Sequence, residues 1–99
     1  MPTRIARLKW LPPSEGGLSH PPSDGYSTVA RFEKIRDKWL EEGWSIVLRN
    51  MTTPTADGEM TAEVSLLMGD EGPAELLEVG ERFDLFEGAR LVAEGEIIE

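Results

Sequence analysis

Apolar and polar positions alternate most cleanly at residues 59–67, where Met60, Ala62, Val64 and Leu66 interleave with Glu59, Thr61, Glu63 and Ser65. A period of two marks a strand with one face in a core and the other in water. The pattern recurs at residues 44–49, with Trp44, Ile46 and Leu48 on one face. Between these segments, residues 50–58 are polar, contain Pro54 and end on the turn dipeptide Asp57-Gly58. The two strands are therefore expected to pair antiparallel across a long hairpin loop.

A second hairpin is expected near the end of the chain. Residues 82–87 put Phe83 and Leu85 on one face, Gly88-Ala89 makes the turn, and residues 90–98 put Leu91, Ala93 and Ile97 together. Gly95 interrupts that last strand, as a glycine does at a bulge or where another group approaches the backbone closely. Residues 5–11 place Ala6, Leu8 and Trp10 on one face before Pro12-Pro13 stops them, and residues 26–32 do the same with Tyr26, Thr28, Ala30 and Phe32. Residues 33–42 carry Ile35, Trp39 and Leu40 at helical spacing ahead of Gly43, which predicts a short helix of about two turns. Six strands without alternating long helices predict an all-β fold, a six-stranded antiparallel barrel formed by residues 1–99 as one domain, its first and last strands adjacent.

Composition narrows the chemistry. Ten Gly and seven Pro among 99 residues disfavour long helices, and the absence of Cys excludes disulfides, thiolate metal sites and Cys nucleophiles. One His cannot build a His-rich metal cage. The net charge of -9 is uneven: residues 1–49 hold eight Lys/Arg and six Asp/Glu, a net of +2, whereas residues 50–99 hold two and thirteen, a net of -11. An acidic surface of this size repels polyanions. No apolar run approaches the roughly 20 residues of a membrane span, and Arg4, Arg7 and Lys9 are scattered through the first residues, so no membrane association and a cytoplasmic location are expected.

No constellation in the chain points to catalysis. Glu94 and Glu96, like Glu59 and Glu63, share strand faces that read as solvated, and nothing raises their pKa for acid-base work. His20 shares one loop with Ser14, Ser19, Ser23 and Asp24, whereas a triad needs its members on separate rigid elements. There is no Gly-rich loop followed by Lys-Ser/Thr to cradle phosphates. No catalytic residue, metal or cofactor is expected. Arg31, Lys34, Arg36 and Lys38, with Phe32 and Trp39 among them, are the one local basic and aromatic cluster, a candidate RNA contact or a solvated turn over core anchors.

The order of motifs carries one resemblance. EGGLSHPPSDGYSTVARF over residues 15–32 is similar to a loop in the third, C-terminal barrel domain of elongation factor Tu, where an acidic-Gly-Gly loop leads through proline to a Gly-Tyr pair. GERFDLFEGARLVAEG over residues 80–95 resembles the closing hairpin of that domain. These two stretches cover about a third of the chain, and the resemblance implies a six-stranded antiparallel barrel. It also implies an interaction module, linked to translation, that binds a protein partner through Gly16, Gly17, His20, Tyr26, Gly88 and Arg90. The family's GTPase domain and second barrel are missing, Leu18 stands at its basic position after the Gly-Gly pair, and Ala89 replaces the second glycine of the hairpin. Binding of RNA, tRNA-like, through residues 31–38 and the 15–26 loop is the alternative, against the charge of the second half.

Overall fold

The six alternating segments form six strands in a computed structural model that describes residues 3–18, 22–38, 44–67 and 74–99. They are β1 (Arg4–Trp10), β2 (Tyr26–Phe32), β3 (Trp44–Arg49), β4 (Glu59–Leu66), β5 (Arg82–Glu87) and β6 (Arg90–Ile97). All pairings are antiparallel, and the sheet closes on itself in the order β1-β4-β3-β2-β5-β6. Leu8 of β1 stands opposite Met60 of β4 on one side and Gly95 of β6 on the other, so the first and last strands are neighbours. Closure leaves no strand edge exposed.

The inward positions of each strand fill one core. Leu8, Phe32, Ile46, Leu48, Val64, Leu85 and Ile97 are fully enclosed, and Phe32 packs on Phe83 with ring centroids 5.5 Å apart. Each such side chain contributes about 1.5–3 kcal/mol by leaving water. Trp44, from the expected apolar face of β3, is half-buried against this cluster.

Two expectations require correction. In β6, Leu91 does not share a face with Ala93 and Ile97: the register with β5 runs Leu85 to Ala93 and then Phe86 to Leu91, so Val92 is an extra, bulged residue. The bulge reverses the alternation, and Val92 is fully buried while Leu91 is only partly so. Gly95 marks a close approach, one of the two readings its place in the strand allowed. A Cβ there would lie 2.5 Å from Phe83 Cζ and 2.7 Å from Leu8 Cδ2.

Residues 33–42 were expected to hold α-helical turns; Glu33–Lys38 instead forms 3-10 turns broken at Ile35 (φ -121°, ψ 29°), and residues 39–42 lie outside the described residues. So short a helix has little stability of its own. Tertiary contacts decide its path, for Ile35 packs against the core and Glu81 Oε2 accepts the Lys34 backbone N–H at 2.8 Å.

Strand directions sort the connections between two barrel ends. The residues after β1, the β3–β4 loop and the β5–β6 turn all lie at the end where β1 finishes, called the upper end here. Residues 33–38 and the segment before β5 lie at the lower end, which a 3-10 turn, Ala74–Leu77, plugs with buried Leu76 and Leu77. Strand alternation gives no sign of that plug, because it comes from a single turn. Among the described residues no helix is long and apolar enough to cross a membrane.

Candidate interaction site at the upper end of the barrel

The chain leaves β1 at Trp10 and turns immediately. Pro12-Pro13 ends the strand, and a 3-10 turn, Pro13–Glu15, closes through Glu15 N–H to Pro12 O at 2.9 Å and Gly16 N–H to Pro13 O at 3.2 Å. Gly16 caps it with φ at +95°, a conformation that favours glycine. Gly17 donates to Pro12 O at 3.0 Å, and its Cα faces the Leu11 carbonyl so closely that a Cβ would stand 1.7 Å from the oxygen. The paired glycines thus serve different needs, one a left-handed backbone and the other close approach.

This loop meets the β5–β6 turn. A Cβ on Gly16 would lie 3.5 Å from Arg90 Cγ, so the glycine faces the aliphatic stem of that arginine. The Arg90 guanidinium reaches Glu87 Oε1 at 3.9 Å with its side chain 55% exposed, a loose surface contact. Glu87 also accepts a 2.5 Å hydrogen bond from the Tyr26 hydroxyl. The Tyr26 ring packs edge-on against Trp10 at 5.9 Å, and Trp10 Nε1 donates to Met60 Sδ at 2.9 Å. Tyr26 therefore roofs the barrel mouth, while Glu87 links it to Arg90.

Gly16, Gly17, Tyr26, Gly88 and Arg90, predicted from two distant stretches of sequence, accordingly share one end of the barrel. Gly88 occupies the turn with φ at +64° and open space around it. His20 lies outside the described residues.

Burial and the hydrogen bond to Glu87 hold the Tyr26 phenol well above its ordinary range. Because the folded state keeps this proton longer than the unfolded chain, the stability linked to it is complete below about pH 10 and falls as pH rises beyond that value. Tyr26 is the sole tyrosine in the sequence, so phenolate absorbance reports on it alone. Its alkaline titration is expected to shift upward in the folded protein, to return to the ordinary value in denaturant, and to move down when Glu87→Gln removes the carboxylate.

A groove of about 490 Å³ lies on the other side of the same loop, between residues 11–18 and 54–58. Leu11, Pro12, Leu18 and Pro54 give it apolar walls, and Glu15 and Asp57 stand among its charged residues. Residues 50–58 read in sequence as a hairpin connection, with no groove implied. The prolines at both borders were the available signal.

The basic cluster at residues 31–38 belongs elsewhere. Arg31 pairs with Asp84 at 2.6 Å and lies 5.1 Å over the Phe86 ring, while Lys34 contacts Glu78 at 3.5 Å and donates to the Glu75 carbonyl at 2.8 Å. Lys34 sits at the lower end, a strand length from the glycine loop, roughly 20 Å for six or seven residues. Lys34 and the glycine loop therefore lie at opposite ends of the barrel.

The carboxylates of β6 lie on the barrel flank. Glu96 stands between Arg7 of β1 and Arg82 of β5, bonding Arg7 at 3.2 Å, and Glu94 stands between Lys9 and Asp84. Mixed charge and solvent access leave these acids as part of a polar surface. No protein-family model matches the chain, and no curated protein matches it. The molecule is a six-stranded, closed antiparallel β-barrel domain, and its function is argued from the upper end.

Proposed function

We propose that this chain is a non-catalytic interaction module, a translation-factor-like barrel akin to the third domain of elongation factor Tu, which binds a protein partner at its upper end. The observation that carries this reading is the closeness of Gly16 to the stem of Arg90, because it brings together the two family-like stretches that are far apart in sequence. A half-buried tyrosine beside an exposed arginine supports it as well, since these residue types dominate binding energy at protein interfaces. The loop is already tied by its own hydrogen bonds, so little ordering is needed on association.

Arg90→Ala tests the reading. Its ion pair is long and exposed, a class that contributes about 0–1 kcal/mol, so the melting temperature is expected to change little. Affinity for a partner recovered from native lysate, measured by titration calorimetry, is expected to fall about tenfold or more, the ~1.4 kcal/mol of a charge-assisted contact. Lower stability with unchanged affinity would assign Arg90 to the fold instead. Recovery of no protein partner, together with saturable RNA binding that weakens steeply with salt, would replace this reading by the nucleic-acid one. In that case phosphates must compete with Asp84 for Arg31 and with Glu78 for Lys34.

A further inference from the structure

The groove beside the glycine loop has features that specify the chemistry of what enters it. Both walls are set in advance. Residues 12–17 are closed by three backbone hydrogen bonds, and the opposite loop is held by Thr55 N–H to Glu59 O at 2.9 Å, Gly58 N–H to Thr55 O at 2.9 Å and Glu59 N–H to Thr55 Oγ1 at 3.2 Å. Gly58 is pressed on the end of β1, where a Cβ would meet Trp10 O at 2.6 Å, so this wall cannot move inward. A preformed groove does not spend binding energy on its own ordering.

Leu11, Pro12, Pro13, Leu18 and Pro54 offer apolar surface, and Trp10, which also lines the groove, is nearly all buried in the core. Rigid apolar walls suit an extended segment, for proline-rich chains enter such grooves already in their binding conformation. The volume of about 490 Å³ falls within the roughly 300–1,000 Å³ of ligand sites. The groove is open to solvent, whereas small-molecule sites enclose most of their ligand.

Charge decides the remainder. Among the described residues, Glu15 and Asp57 are both exposed and make no ion pair, and the sole cation lining the groove, Lys9, stands opposite Glu59 in the β1–β4 register. The excess at the groove is negative, as is the chain at -9. An acidic segment or a phosphate backbone is repelled, and a basic one is drawn in.

We infer that this groove receives a short extended segment of the partner protein, apolar or proline-bearing along its middle and carrying Lys or Arg to meet Glu15 and Asp57. The inference rests on the reading of the upper end as a protein-binding surface and adds the chemistry of the bound segment. Its test is a titration of the ¹⁵N-labelled protein with two synthetic peptides of equal proline and leucine content, one flanked by arginines and the other by glutamates. Saturable amide shifts are expected at Lys9, Glu15 to Leu18 and Thr55 to Gly58 with the arginine peptide, at least tenfold tighter than with the glutamate peptide. The double variant Glu15→Lys, Asp57→Lys, two changes at exposed positions, is expected to reduce that affinity at least tenfold with the rest of the spectrum unchanged.

Absence of shifts at these amides at millimolar peptide overturns the inference, and so does an equal response to both peptides or an unaltered affinity in the double variant. A partner that perturbs residues 87–90 and leaves the groove silent overturns the groove assignment while sparing the role of the upper end. An affinity for that partner that survives Arg90→Ala, with the groove still responding to the arginine peptide, overturns the binding role of Arg90 and spares the groove.

Discussion

Gly95→Val is expected to destabilise the barrel by about 3 kcal/mol, the upper end of the range for overpacking a closed core. The first added carbon already falls 2.5 Å from Phe83 Cζ, 2.6 Å from its Cε2 and 2.7 Å from Leu8 Cδ2. Neither neighbour has free space, since Leu8 is fully buried and Phe83 is 2% exposed and packed on Phe32. Gly95 also lies between Leu8 of β1 and Phe83 of β5 in the register, so a displacement there strains both seams of the last strand. For a domain of this size each kcal/mol moves the melting temperature by roughly 4–8 °C, which gives a drop on the order of 12–24 °C by calorimetry. Phe83→Leu in the same chain removes the clashing ring atoms and is expected to recover part of the loss, a coupling that two independent defects would not show. A melting temperature within about 3 °C of the parent would refute the close packing assigned to Gly95.

Gly17→Ala is expected to cost about 2–3 kcal/mol, comparable with other overpacked sites, and to damage binding beyond its effect on stability. The obstacle is backbone: Leu11 O at 1.7 Å, Leu11 C at 2.4 Å and Pro12 O at 3.0 Å from the new Cβ. These atoms cannot rotate aside as a side chain does. Leu11 is fixed in turn by its N–H to Val92 O at 3.0 Å, so the strain is relieved by opening the loop and losing the Gly17 N–H to Pro12 O bond. Opening moves Gly16 away from Arg90 and shifts one wall of the groove. Gly88→Ala is the control. Its Cβ meets nothing within 4 Å, so only the left-handed backbone at φ +64° is penalised, by about 1–2 kcal/mol. Amide exchange is expected to accelerate at Glu15 to Leu18 in Gly17→Ala and to stay unchanged there in Gly88→Ala. Equal exchange in the two variants would refute the distinction.

Much of the strand architecture was legible in the sequence. Residues 26–32, 44–49 and 82–87 fold as expected from end to end, and the other three strands differ by one residue at one or both ends. Alternation works here because closing an antiparallel sheet into a small barrel gives every strand an inner and an outer face. It failed where one residue changed the phase: Val92 and Ala93 are adjacent and both buried, which no period of two represents. It failed also at Leu76 and Leu77, whose place in the core follows from the end of the barrel they plug.

The separation between the two levels of information is physical. Local order determined the strands, the Gly-Gly and Asp-Gly turns, the two hairpins and the acidity of the second half, because each depends on neighbouring residues alone. The tertiary structure decided which distant loops share an end. It brought Gly16 close to Arg90, tied Tyr26 to Glu87, placed Lys34 a strand length away from the glycine loop, and made a groove of two unrelated loops. Those relations follow from strand direction and barrel closure, which are properties of the whole sheet and are written in no single stretch of the chain.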